Sequence, residues 1–344
     1  MINSKNILIT GGSGYVGTRL TYRLLNNKKI KIVNYDISLF GDDHLPSATN
    51  YSYVKEDLRN TEQLEKTIIN HQIDTVIHLA CISNDPTFEL KSDISKQINF
   101  DCFEDLVSIS KKNYVKKFIY ASTCSVYGIT DNPNVTEDHP LLPMTDYNKY
   151  KADCEPILIK YLDDKFQGLT IRPATVCGFS EKMRFDLTVN ILTNFAYNRG
   201  FIKVLGGQQT RPNIHLEDMC DLYEYLTKVS FDKINKKIYN AGVENLKIIE
   251  IANIIKDIFQ KKLNKNIEIR IEPSNDKRSY NINSDKIKKE LGFEFKRNVS
   301  NAVNDLIDNF TNGNLKNTFD DKWLNIEVLK KNQEKLVLYD TNQK

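Results

Sequence analysis

An apolar run from Asn6 to Thr10 passes directly into Thr10-Gly11-Gly12-Ser13-Gly14-Tyr15-Val16-Gly17, and this junction constrains the fold more than any other part of the chain. The run reads as a strand, and Tyr15–Asn26 behind it reads as a helix. Gly11 permits a tight turn out of the strand. Gly14 lets the helix N-terminus approach an anion, where unpaired N–H groups and the helix dipole favour negative charge. Gly17 allows close helix–sheet packing. A glycine triplet alone could mark any tight strand–helix turn. Here a second strand, Lys31–Tyr35, leads into Asp36, a carboxylate placed to accept hydrogen bonds from an adenosine ribose. No Arg or Lys lies between Ile37 and Leu45, and Asp36 would repel a 2′-phosphate, so NAD is favoured over NADP.

The rest of the first half keeps a β–α rhythm. Strands are predicted at Ser52–Val54, Thr75–Leu79, Lys117–Ala121 and Leu169–Arg172. Helices are predicted at Glu62–Asn70, Lys91–Lys112 and Asp146–Tyr161. Ile/Val-rich strands alternating with amphipathic helices argue an α/β fold, a Rossmann doubly wound parallel sheet covered on both faces. After about residue 175 the rhythm loosens. Helices at Leu187–Asn198, Glu217–Val229, Lys247–Lys261, Asp285–Leu291 and Ser300–Asn309 are separated by strands at Lys203–Leu205 and Glu268–Ile271. The expected organisation is a dinucleotide-binding domain over 1–175, a smaller α/β substrate-binding lobe mainly over 176–315, and a tail over 316–344. The Lys/Asn/Glu-rich tail reads as a surface helix or a partly disordered segment.

Composition excludes several function classes. Forty-eight basic against 45 acidic residues leave a charge of +3, too little to argue for nucleic acid or a membrane surface. No apolar run approaches a membrane span, and no signal segment is recognisable. The six cysteines (Cys81, Cys102, Cys124, Cys154, Cys177 and Cys220) form no C-x-x-C pair and cluster with no His, so they read as reduced thiols of a cytoplasmic protein that holds no metal.

Tyr147 and Lys151 are four apart on a predicted helix and share a face. A Tyr hydroxyl is a poor base at neutral pH, and a nearby ammonium would favour its phenolate. The Y-x-x-x-K pattern is itself weak: about two chance matches are expected in such a chain, and the matches include both Tyr147/Lys151 and Tyr161/Lys165. Context separates them. Ala121-Ser122-Thr123-Cys124-Ser125-Val126-Tyr127-Gly128 ends a strand, and ligands of a doubly wound sheet sit beyond the carboxyl ends of its strands. Thr123 would therefore face a nicotinamide, with the Tyr147 helix following shortly. Asp57-Leu58, after the third strand, could contact the adenine; Asp57 reads equally well as a turn or cap acid.

Taken together, TGGSGYVG, Asp36, HLA (78–80), STCSVYG (122–128), YNKYK (147–151) and RPATVCG (172–178) resemble the extended short-chain dehydrogenase/reductase family, in its NAD-dependent nucleotide-sugar epimerase/dehydratase branch. The resemblance runs from residue 5 to about 310. It implies Tyr147 as catalytic base, Lys151 as its partner and ribose ligand, and Thr123 as the hydroxyl that binds the reacting sugar oxygen. It further implies NAD contacts from Gly11, Gly14, Tyr15, Val16, Asp36, Asp57, Leu58, Leu79, Ala80, Tyr147, Lys151 and Pro173. The partner is a nucleotide-diphosphate sugar, and homodimers are what the family implies.

A diphosphate needs cationic or N–H donors. Arg211 (in RPNIH), Arg278 (in DKRSY), Asn190 (after MRFDL) and Thr175 match family positions for substrate contacts. The family often has Asn where Thr175 stands. His215, at a helix start with no identifiable acid partner, reads as structural rather than catalytic. The family's 4,6-dehydratases carry an Asp-Glu pair directly after the catalytic Thr, and here Cys124 and Ser125 hold those positions. This disfavours dehydration. Cys124 reads as a packed small hydrophobe in preference to a reactive thiol. The leading expectation is a C4 epimerase. The second is a net C4 dehydrogenase, because MRFDLTVN (183–190) with DKRSY (276–280) resembles a subgroup that includes GDP-heptose C4 dehydrogenases. A non-catalytic NAD sensor or RNA-associated relative is a third reading, against which Tyr147, Lys151 and Thr123 argue together.

Overall fold

Seven strands whose interior positions are mostly apolar line up in parallel. In a computed structural model, which describes residues 5–274 and 279–341, these are β1 (Asn6–Thr10), β2 (Lys31–Asp36), β3 (Tyr51–Lys55), β4 (Thr75–His78), β5 (Lys117–Ala121), β6 (Gln167–Pro173) and a late strand, Lys237–Ala241. Ile7, Leu8 and Ile9 are fully buried, as are Val76 and Ile77, because helices cover both faces of the sheet. The strand order places β1 between β2 and β4, so successive connections leave β1 in opposite directions. That reversal opens a crevice at the carboxyl ends of β1 and β4, where a doubly wound sheet binds its ligand.

Two smaller sheets lie apart from the large one. In one, β9 (Thr210–His215) lies between β7 (Thr175–Cys177), which is parallel to it, and β11 (Glu244–Lys247), which is antiparallel. In the other, β8 (Phe201–Leu205) pairs in parallel with β12 (Glu268–Glu272). Helices Thr188–Arg199, Ile248–Leu263 and Val299–Thr311 close a separate core over Ile202 and Val204. The late strand of the large sheet, β10 (Lys237–Ala241), pairs with β6 although it lies far beyond residue 175 in sequence. Neither β7, β9, β10 nor β11 is marked in the sequence. β7 has only three residues, and β9 contains Pro212 and is buried on both faces, so its residues do not alternate.

The helix predicted over Lys91–Lys112 is not continuous. It breaks into Ser92–Lys96, a π-turn at Gln97–Asp101 and Phe103–Lys112, and a separate short helix, Asp85–Glu89, precedes it. Beside the π-turn residue Asn99 the reason is visible: its amide donates to Ile82 O at 3.0 Å and accepts from Ile82 N at 2.8 Å. A π-bulge that turns one side chain onto a neighbouring loop is a common device near functional sites. The tail is also more ordered than its polar composition suggests. It forms a helix, Asn325–Thr341, whose Val328, Leu329 and Leu336 are buried against Leu39, Ile82 and Ile94.

Candidate active site

The glycine turn has the geometry its sequence demands. Gly11 adopts φ +75°, and a Cβ there would lie 2.6 Å from the Ala80 nitrogen. A Cβ on Gly17 would lie 2.4 Å from the Gly11 oxygen, so only glycine lets the helix Tyr15–Leu24 sit this close to the turn. Gly14 is the N-cap of that helix and offers no side-chain cap, which leaves the first N–H groups free to face an anion. At the end of β2 the Asp36 carboxylate accepts from Ser13 N at 3.0 Å and Ser38 N at 2.7 Å. Burial raises its pKa above the ordinary carboxylate value, and those two N–H bonds oppose the rise.

A single cavity runs from this turn along the crevice. Gly11, Gly14, Tyr15, Val16, Asp36, Asp57, Leu58, Leu79, Tyr147, Lys151 and Pro173 all line it. The glycine cradle, the uncapped helix terminus and the carboxylate fit an extended dinucleotide: diphosphate at Gly14, adenosine ribose at Asp36, and nicotinamide toward Tyr147 and Lys151. Ala80, Thr123, Thr175, Asn190 and Arg211 stand outside the wall, and Arg278 lies outside the described residues.

The expected adenine contact is already engaged. Both Asp57 carboxylate oxygens are gripped by Arg59, at 3.0 Å through Nε and 2.8 Å through Nη2, and both side chains are buried. Lys151, also buried, donates to the Ala121 carbonyl at 2.8 Å. The expected effect of Lys151 on its neighbour does not dominate: burial pushes the Tyr147 phenol well above its ordinary pKa, and the guanidinium that opposes this belongs to Arg184. Thr123 Oγ1 lies 2.9 Å from Ser125 Oγ, whose hydroxyl donates to Asn148 Oδ1. Behind this loop is a buried network. Glu155 accepts from Ser122 Oγ at 2.7 Å and pairs with Arg172 at 2.6 Å, and Arg172 reaches the Tyr127 hydroxyl at 2.8 Å.

Cys124 is buried, and burial pushes its thiol up to about 12, which leaves no thiolate at neutral pH. Asn190 is fully buried with its amide committed to the protein, accepting from Gly178 N at 3.0 Å and donating to Arg184 O at 3.0 Å. Arg211 donates to Thr210 O at 3.0 Å, and its guanidinium lies 5.8 Å from the Tyr280 ring centre. Thr175 sits on β7 opposite Asn213. His215 does have an acid nearby: its Nδ1 accepts from Glu217 N at 3.1 Å as a helix cap, and its Nε2 lies 3.0 Å from Asp305 Oδ2.

Sequence reasoning missed other wall residues. Arg184 lines the cavity, held by Asp186 at 2.6 Å and by Ser83 Oγ at 3.0 Å. Lys182 also lines it, with its pKa pushed down to about 8 by burial and by Arg184. Arg184 belongs to MRFDLTVN (183–190), which the sequence marks only as a whole, and Lys182 immediately precedes it. Asn325 and Leu336 reach the wall from the tail, which carries no recognisable signal.

The profile of the NAD dependent epimerase/dehydratase family matches residues 7–242. A trifunctional UDP-glucose 4,6-dehydratase/UDP-4-keto-6-deoxy-D-glucose 3,5-epimerase/UDP-4-keto-L-rhamnose-reductase of Arabidopsis thaliana is 28% identical over 328 residues, which cover 89% of this chain and 47% of that protein. The chain thus spans about half the length of that relative. A bifunctional UDP-glucose 4-epimerase and UDP-xylose 4-epimerase of the same plant is 25% identical, over 88% of this chain and 94% of that protein. Among solved structures, the dTDP-glucose 4,6-dehydratase of Bacillus anthracis in complex with NAD superposes with a TM-score of 0.79 at 22% identity, over 92% of this chain and all of that one.

Proposed function

The chain belongs to the NAD dependent epimerase/dehydratase family, and on that premise we propose that it is a nucleotide-sugar C4 epimerase. The observation that carries this choice within the family is the pair after Thr123. Cys124 is a buried, protonated thiol, and the Ser125 hydroxyl is bonded to Asn148 and Thr123. Neither replaces the carboxyl pair that a 4,6-dehydratase would need to expel a hydroxyl and abstract a C5 proton. The acid whose charge acts on Tyr147, Asp85, is engaged elsewhere: it accepts from Thr145 Oγ1 at 2.6 Å.

NAD, when bound, supplies the hydride acceptor and donor. Gly11, Gly14 and Asp36 hold it, and Lys151 positions its ribose. With the positive charge of the bound nicotinamide and of Lys151 favouring its phenolate, Tyr147 would take the proton of the sugar C4 hydroxyl and later return it, while Thr123 orients that oxygen. The apolar wall of Leu79, Ile82 and Met183 excludes water, which protects the 4-keto sugar between the two half-reactions.

The test is a panel of UDP-, GDP-, CDP- and dTDP-sugars, with NADH absorbance and product analysis. One sugar should yield its C4 epimer with no net NADH. Stoichiometric NADH with a 4-keto product would establish a net dehydrogenase in its place, and a 4-keto-6-deoxy product would establish a dehydratase.

A further inference from the structure

The outer side of the cofactor cavity is built by chain that follows the family match. Asn325 and Leu336, both of the helix Asn325–Thr341, stand in its wall. Near Tyr147, Asn325 Nδ2 donates to Ser83 Oγ at 3.0 Å, and the same hydroxyl oxygen receives Arg184 Nη1. At the adenosine end, Arg59 Nη2 donates to the Leu336 carbonyl at 2.7 Å while the same guanidinium grips Asp57. Just before the helix, Trp323 O accepts from Phe185 N at 2.9 Å, and Lys322 O accepts from Lys182 Nζ at 3.2 Å. Between these tethers Val328, Leu329 and Leu336 pack on Leu39, Ile82 and Ile94.

The helix is therefore fastened at two points along one cavity and forms part of its wall. It is also a weak element. Asn332, at φ −114° and ψ 16°, divides it into two short segments. Its dock is a small apolar cluster and a handful of hydrogen bonds, the kind of contact that opens without global unfolding.

We propose that this helix is a strap of the cofactor site: Asn325 and Leu336 form its outer wall, Arg59 and Ser83 fasten it, and it keeps the cofactor resident between turnovers. The proposal rests on the NAD reading above. A resident cofactor suits an epimerase, in which the hydride returns to the same sugar and nothing needs to be exchanged. A net dehydrogenase would have to lift the strap in every cycle.

The experiment follows release of NADH, without any sugar, by its fluorescence after mixing the loaded protein with excess NAD⁺. Three chains are compared: wild type, Leu329→Ala, and a chain ending at Leu324. Leu329 lies in the apolar dock but not in the cavity wall. Its truncation should speed release by about tenfold, because the lost packing falls on the closed state alone. The shortened chain should release faster still. Circular dichroism and thermal melting check that each is folded. Wild-type release rates in folded Leu329→Ala would overturn the strap, and that variant decides alone if the shortened chain does not fold. Failure of wild type to bind NADH would overturn the cofactor reading itself, a result distinct from failure of the strap.

Discussion

The Lys151 ammonium donates to the carbonyl oxygen of Ala121 at 2.8 Å. Ala121 ends β5, so the cation is tied to the carboxyl edge of the sheet. Burial then decides the protonation of Tyr147, whose phenol lies well above its ordinary pKa. A folded-state value above the unfolded one, near 10, means the folded protein keeps a proton that the unfolded chain releases. Its stabilising contribution is complete below about pH 10 and is lost as pH rises through the folded value. Tyr15 and Tyr120 shift the same way, also through burial. Thermal melts of the ligand-free protein should therefore show a falling midpoint above about pH 10. Ultraviolet difference titration against Tyr147→Phe should show no phenolate at 147 near neutrality, and a component titrating there would contradict the burial argument.

The Tyr147 hydroxyl is assigned the proton transfer, and a phenylalanine at 147 keeps the ring that stands in the cavity wall. Tyr147→Phe should lower kcat by about 10²- to 10⁴-fold while NADH still binds in a fluorescence titration. Unchanged turnover would sink the assignment.

Asp36 meets two backbone N–H groups and still faces the cavity. Asp36→Ala removes the ribose acceptor and the charge that repels a 2′-phosphate. NAD affinity should fall by about tenfold, the loss of roughly one charge-assisted hydrogen bond, and the preference over NADP should narrow. Equal NAD affinity in the two proteins would show that Asp36 serves the turn alone.

Glu155 and Arg172 form a buried bidentate pair that also receives Ser122. Glu155→Gln leaves the guanidinium without its counter-charge and should destabilise by about 3 kcal/mol, as breaking one side of a buried pair does. Urea unfolding measures it, and a change under about 0.5 kcal/mol, the surface-substitution scale, would refute the argument.

Two cysteines near the site should behave oppositely. Cys124 is buried, with its thiol held up to about 12, whereas Cys81 is partly exposed and lines the cavity. A thiol reagent at neutral pH should label Cys81 first, with NADH protecting it, and leave Cys124 unmodified in peptide mapping. Early labelling of Cys124 would reverse its assignment as a packed side chain.

The sequence by itself determined the large sheet and one end of the site. Gly11, Gly14, Gly17 and Asp36 are local features: their spacing along a strand, a turn and a helix fixes their geometry whatever the rest of the chain does. The same holds for Tyr147 and Lys151, one helical turn apart. Tertiary structure alone decided the rest. β10 joins β6 across more than 60 residues, and the π-turn at Gln97–Asp101 forms as Asn99 reaches Ile82. Asp57 is gripped by Arg59, Lys151 by Ala121, and the cavity is finished by Arg184, Asn325 and Leu336. Apart from Asp57–Arg59, which are two residues apart but held by burial, these contacts join residues distant in the chain, and their energies come from burial and hydrogen bonds that exist only after packing. Periodicity and spacing carry local order, so they register the glycine turn and allow a helix in the tail, but not that this helix packs against the cavity.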